Sequence, residues 1–246
     1  MPFTLVHPAA VIPLSRGRLV PSALADGAMA PDWAGLLPVQ NAGLMSHTWL
    51  GAVTVDALLA VILLMLFHGL LKRPLADLAP AGWRGRLAGP VGGFRWRSLW
   101  FLPSVVIGAA THILWDDFTH GRFVEWGPKT QLVQDGSSVL GLVLIVWWLV
   151  RWYRTASAAE VPGLLTRTGR DAVRWLAVGA VALAAVGRLV FPPRPLNGEF
   201  PTGFALLWWH ATNMLLAGVG IGIVVLGCYA VLWQLRALFA TRRKAA

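Results

Sequence analysis

Five stretches of this 246-residue chain, at about 50–71, 98–115, 137–153, 172–191 and 204–235, are almost continuously apolar. About 20 helical residues cross the hydrocarbon core of a bilayer. Barrel strands would alternate apolar and polar residues, and these runs do not, so helices are expected. The fold class that follows is all-α: an integral membrane helical bundle of about five transmembrane helices. The second run is short and contains Pro103, and the fifth is long enough to tilt or to extend past the membrane. The first 49 residues carry Pro2, Pro8, Pro13, Pro21, Pro31 and Pro38, which forbid a long regular helix and favour short interfacial or re-entrant helices. No basic segment precedes an early apolar run, so no secretory signal is expected. One integral membrane domain over residues 1–246 is expected: an outer N-terminal segment (1–49), the five-span bundle (50–235) and a tail (236–246).

Charge supports this reading. Only 13% of the residues are charged, where a soluble domain has roughly 25%, and 57% are hydrophobic. Disorder and coiled coils are excluded. The single cysteine, Cys228, excludes disulfides within the chain. A formal net charge of +10 would suit a nucleic-acid binder, but the positions of the charges argue otherwise. Fifteen basic residues lie in the segments after spans one, three and five, beside only Asp77, Glu160 and Asp171. By sequence order the opposite side has six basic residues, Arg16, Arg18, Arg122, Lys129, Arg188 and Arg194. It also has eight acids: Asp26, Asp32, Asp56, Asp116, Asp117, Glu125, Asp135 and Glu199. The basic face is therefore expected in the cytoplasm, with the N-terminus outside and the C-terminus inside, as five spans require. The location that follows is a bacterial cytoplasmic (inner) membrane. Most of the 14 Trp fall near expected span ends, as an aromatic belt. The prolines at 192, 193, 195 and 201 mark a connection on the outer side.

Ionisable groups near hydrocarbon are costly, so they are paired or functional. His7, His47, His112, His120 and His210 all map to the outer side, with Asp26, Asp32, Asp116 and Asp117. Such convergence suggests a metal site. His112 and Asp116 stand four residues apart, which places them on one helix face about 6 Å apart, near enough to share an ion. Mixed imidazole and carboxylate donors suit zinc first, with Mn²⁺ or Mg²⁺ as alternatives. Asp117 and His120 are the candidate catalytic groups, as general base or as residues that orient the ligands, and Asp26 and Asp56 are weaker orienting candidates.

The ordered elements Pro2-Phe3-Thr4 to His7-Pro8, Ala30-Pro31-Asp32, Ser46-His47-Thr48 and His112-x-x-Trp115-Asp116-x-Phe118-Thr119-His120 resemble an uncharacterised bacterial membrane-protein family. That family is similar to the YdjM-type membrane-bound metal-dependent hydrolases, whose Gly-x-x-x-His-x-x-x-Asp segment is matched by Gly108, His112 and Asp116. More distantly, the order resembles the all-helical zinc-dependent phospholipase C and nuclease fold. The resemblance implies that His7, Asp32, His47, His112 and Asp116 are the metal ligands. Met214 stands where that fold's later His-x-x-x-Glu element would place a glutamate after His210, so one or two ions are implied rather than three. The expected partners are membrane lipid and a lipid-like or phosphorylated small-molecule substrate, with no nucleic acid. Two other readings use the same residues. Asp116 and Asp117 could hold Mg²⁺ for an isoprenoid-diphosphate enzyme of the terpene cyclase or prenyltransferase type, or the cluster could be a structural metal or polar network without catalysis.

Overall fold

A computed structural model of the protein describes residues 4–35, 42–91, 94, 98–159, 163–193 and 200–245. Pro2, Pro38, Arg95, Arg97, Glu160, Arg194, Pro195 and Glu199 lie outside these described residues. Every regular element among the described residues is helical, as an all-α bundle requires. In chain order the helices are α1 (Pro8–Val11), α2 (Pro21–Gly27), α3 (Ala30–Ala34), α4 (Ala42–Ser46), α5 (Trp49–Val53) and α6 (Val55–Leu66). They continue with α7 (Lys72–Leu78), α8 (Ala81–Val91), α9 (Phe101–Thr119), α10 (Thr130–Thr155), α11 (Arg167–Val190) and α12 (Phe204–Ala245).

Among the described residues, four helical segments are long and apolar enough to cross a bilayer: Trp49–Leu78, Gly127–Thr155, Arg167–Val190 and Ala205–Ala240. The expected second span, 98–115, becomes α9 and is not among them. Ser104, His112, Asp116 and Asp117 interrupt its apolar character, and 10 of its 19 residues are buried. It is therefore a core helix, sheathed by protein rather than exposed to lipid along its length.

The chain separates into two compact units, Met1–Gly69 with Gly92–Ser157, and Leu70–Val91 with Ala158–Ala246. In the first unit α9 runs antiparallel to α6. Ala109 and Ile113 pack on Ala52 near the start of the first span, whereas Phe101 and Val105 share a cluster with Ala60 and Leu64 further along it. Nineteen residues at 1.5 Å each make α9 about 28 Å long, close to the thickness of the hydrocarbon core.

The N-terminal segment is a helical hairpin laid along α9. It passes from His7 through α1 to a turn at Gly17, whose φ of +92° suits glycine. It returns through α2 and α3. At the turn end the Val20 N–H donates to Ser104 Oγ at 2.8 Å, and the Arg18 guanidinium lies over the Trp100 ring, 5.9 Å from its centroid. The hairpin thus carries Arg18 to the Trp100 end of α9, away from the acidic side to which sequence order assigns it. Small residues make this close approach possible. A Cβ on Gly108 would collide with the Leu24 carbonyl and lie 2.8 Å from Ala28 N, and one on Gly27 would strike the Val105 carbonyl. Between apolar helices in lipid, backbone approach of this kind supplies the dispersion contact that holds them together.

The second unit is built on Asp77, which is 6% exposed. Its carboxylate accepts from Arg170 Nη1 (3.0 Å), Trp233 Nε1 (2.8 Å) and Leu164 N (3.0 Å), so α7, the turn before α11, α11 and α12 meet at one charge. Tyr229 donates to Pro74 O at 3.1 Å. Gly218 and Gly222 of α12 lie against Val181 of α11.

Candidate metal centre

Four parts of the first unit converge at the C-terminal half of α9. His7 stands at the start of α1, Asp32 in α3, His47 after α4, and His112 and Asp116 on α9. Local polar contacts set each in place. Ser46 Oγ donates to Pro31 O (3.0 Å) and to Gly43 O (2.9 Å), which ties the His47 turn to α3. Thr48 then caps α5 by accepting from Gly51 N at 2.9 Å. The expected i,i+4 pairing of His112 with Asp116 is present, at 3.5 Å between Nε2 and Oδ2.

All five ligands implied by the resemblance lie in this cluster. His47 Nε2 is 3.5 Å from Asp32 Oδ1 and 3.7 Å from Asp116 Oδ2; His112 Nε2 is 3.6 Å from Asp32 Oδ1 and 3.5 Å from Asp116 Oδ2. His7 Nε2 is 3.3 Å from Asp116 Oδ1, and the His7 and His112 rings stack at 3.9 Å. Two trios, His7–Asp32–His112 and His47–His112–Asp116, each offer ligand atoms within 4.8 Å of one another. His7 and His112 are 1% and 0% exposed.

The tautomers follow from the partners of the other ring nitrogens. His112 Nδ1 contacts Ala28 O at 2.8 Å, His47 Nδ1 contacts Gly43 O at 2.9 Å, and His7 Nδ1 contacts Thr4 O at 3.3 Å. A carbonyl oxygen can only accept, so Nδ1 of His47 and of His112 carries the hydrogen and each neutral ring presents a bare lone pair at Nε2, whereas both nitrogens of His7 stand 3.3 Å from acceptor oxygens, Thr4 O and Asp116 Oδ1. Two such lone pairs point at two carboxylates, which also only accept, and the buried Nε2 atoms of His47 and His112 have no hydrogen-bond partner among the described residues. Acceptors facing acceptors out of water are unfavourable unless a proton or a cation lies between them. The separations discriminate between these. A charge-assisted hydrogen bond closes to about 2.7–2.9 Å. Two donors bound at about 2.0–2.1 Å to one tetrahedral ion stand roughly 3.3 Å apart. The four N···O separations of 3.5–3.7 Å lie much nearer the second geometry. The carbonyls would then be the outer partners that ligating histidines require.

Burial alone would raise the Asp32 pKa. With a proton rather than a cation between them, His47 facing Asp32, the hydrogen bond from the Thr4 hydroxyl and the nearby His112 and His7 outweigh burial and hold it below its ordinary value. By the same pairing Asp32 raises the pKa of His47.

The other candidates fall in different places. Asp117 is 8% exposed and pairs with Arg122, at 2.6 Å from Oδ1 to Nη1. His120 follows α9 and donates Nδ1–H to the Asp116 carbonyl at 2.8 Å, which leaves its Nε2 able to take a proton. Both line a cavity of about 700 Å³ together with Asp32, His47, Asp116 and Arg122. Asp56 is fully buried on α6, has no hydrogen-bond partner on either oxygen among the described residues, and interacts electrostatically with His47 and His112. Asp26 Oδ2 is also buried without a partner among the described residues. His210 lies in the second unit beside Trp209, outside both ligand trios. The carbonyls of Thr4, Gly43 and Ala28 have no sequence signature, because every residue has one.

These features define an all-helical protein with membrane-spanning helices and a buried His–Asp cluster able to hold a metal ion. The chain belongs to the DUF4184 family, a domain of unknown function whose family model matches residues 1–232. No curated protein and no solved structure matches it.

Proposed function

We propose that the protein is a membrane-embedded, metal-dependent hydrolase that acts on a lipid or lipid-linked phosphoester at the outer leaflet of a bacterial cytoplasmic membrane. The observation that carries the proposal is the convergence of the Nε2 lone pairs of His47 and His112 on the carboxylates of Asp32 and Asp116 at ligand-sharing separations. His47, His112, Asp32 and Asp116 would hold the ion, with His7 beside them. Two nitrogens and two oxygens suit zinc. Asp32 and Asp116 together carry two negative charges, which one divalent ion neutralises in this low-dielectric setting. His112 Nε2 has a single lone pair, so the two trios share one ion. A divalent ion so held lowers the pKa of a coordinated water towards neutrality and polarises a phosphoryl oxygen. His120 can accept a proton at Nε2 within the same cavity.

The depth of the site supports a lipid substrate. Val6 packs against Gly141 of α10, which lies near the start of that helix's apolar run. The cluster therefore sits where polar chain meets hydrocarbon. The resemblance to YdjM-type hydrolases supports the same chemistry. α9 would make the fifth passage between faces, with the N-terminus outside and the C-terminus in the cytoplasm. Moving Arg16 and Arg18 to the Trp100 end adds to the positive charge of the cytoplasmic face. The isoprenoid-diphosphate reading needs Asp116 and Asp117 to act as a pair. Asp117 is instead engaged by Arg122, and adjacent helix residues point about 100° apart.

The test is the metal content of the purified full chain. About one equivalent of transition metal is expected, and it is lost in His47→Ala and His112→Ala but retained in Asp117→Ser. A metal-free, correctly folded wild-type protein that takes up no zinc would overturn the proposal.

A further inference from the structure

Arg122 is the one arginine that lines the cavity holding the His–Asp cluster, among the described residues. It sits on a turn built to present it. α9 ends at Thr119, and Gly121 takes a φ of +84°, which reverses the chain. The Arg122 and Phe123 N–H groups donate back to the Asp117 carbonyl at 2.9 and 3.3 Å. Trp126 Nε1 donates to Phe118 O at 2.8 Å and its ring packs edge-on against Phe118, which closes the turn.

The Asp117 carboxylate engages one guanidinium nitrogen, Nη1. A guanidinium has five N–H donors. The remaining donors have no partner among the described residues, and the side chain is 64% exposed. A cation tethered at one nitrogen, with its other donors free beside a metal centre, has lost much of the side-chain entropy that binding an anion would otherwise cost. Its planar fork matches two oxygens of a phosphoryl group. The cavity wall also contains Leu44, which is 75% exposed and belongs to a run of exposed apolar residues with Met45, Trp49 and Leu50. One part of the cavity wall is thus cationic and polar, and another is apolar and continuous with the lipid-facing start of the first span.

We propose that Arg122 is the anion-recognition residue of the centre and Asp117 its positioning residue. The ligand is an amphiphile whose phosphate monoester head meets Arg122 and whose chain leaves past Leu44. This rests on the metal-centre reading and adds to it the ligand's charge and its orientation. Asp117 thereby acts through Arg122, not as a proton-transfer group.

The experiment uses the full chain in detergent, loaded with Co²⁺ as a visible-absorption reporter and titrated with inorganic phosphate and with hexyl phosphate. Wild type is expected to bind both, with hexyl phosphate several-fold tighter. Arg122→Ala should keep its Co²⁺ stoichiometry and resting spectrum yet bind both phosphates at least tenfold more weakly, and Arg122→Lys should recover part of the loss. Asp117→Asn should weaken phosphate binding by a smaller factor, again with full metal. Unchanged phosphate affinity in a metal-loaded Arg122→Ala protein overturns the role of Arg122. Equal affinity for the two phosphates in wild type overturns the amphiphile orientation and leaves free phosphate as the ligand. Failure of wild type to take up Co²⁺ would instead bring down the metal-centre reading beneath both.

Discussion

Gly108→Ala adds one methyl group about one turn from His112 and should weaken a metal centre that it does not touch. The new Cβ would meet the Leu24 carbonyl and stand 2.8 Å from Ala28 N. Both are backbone atoms, so no rotamer change relieves the clash, and a carbon–nitrogen contact needs roughly 3.4 Å or more. The hairpin must therefore move off α9 by about 0.6 Å or more. Ala28 moves with it, and its carbonyl holds His112 Nδ1 at 2.8 Å. A shift of that size takes this hydrogen bond to the edge of its range. Overpacking costs about 1–3 kcal/mol. Loss of an outer partner of a ligating histidine typically weakens metal binding about 10- to 100-fold. Gly136→Ala in α10 is the control, because nothing lies within 4 Å of its Cβ position and alanine favours a helix. Calorimetric zinc titration and thermal unfolding of the metal-free protein should show both losses for Gly108→Ala and neither for Gly136→Ala. Wild-type zinc affinity in Gly108→Ala would refute the coupling of the hairpin to His112.

Two further outcomes are expected. Metal affinity should fall with acid: His47 is held above its ordinary 6.5 by Asp32, so below that raised value the ion must displace a proton, at about tenfold per pH unit. Asp32 is lowered and stays ionised, so it adds no slope across pH 6–8; zinc titrations at several pH values in wild type and His47→Ala, with proton release measured in parallel, would show the same slope in both if the assignment of His47 as a ligand is wrong. In a Cys228→Ser background, Arg16→Cys should react with a membrane-impermeant thiol reagent from the cytoplasmic side and Phe123→Cys from the outside. Labelling of both from one side would disprove the hairpin's passage through the bilayer.

Much of the site was legible because membrane burial makes ionisable residues scarce. With 13% charged residues, nearly every acid and histidine on the expected outer side could be named, and the five implied ligands do meet. The His112–Asp116 pair was legible from helical periodicity alone. Asp117 was harder: its spacing marks it as a neighbour of a ligand, but its partner Arg122 depends on the turn at Gly121. That the expected span at 98–115 is a largely buried helix was not legible, for a related reason. Apolar composition reports a dry environment, and the interior of a helical bundle is as dry as lipid.

The sequence by itself determined the helical class, the membrane-spanning runs, the charge asymmetry and the residue types of the centre. These follow from transfer free energies and helical period, which are properties of local sequence. Tertiary structure alone decided that residues 4–35 fold against α9 as a hairpin, that Arg18 reaches the Trp100 end, and that α9 is sheathed by protein. It also decided which nitrogen of each histidine faces the carboxylates, because that choice belongs to backbone carbonyls brought in from other helices. Carbonyls are the same in every residue, so only the fold can say which of them a ring will meet.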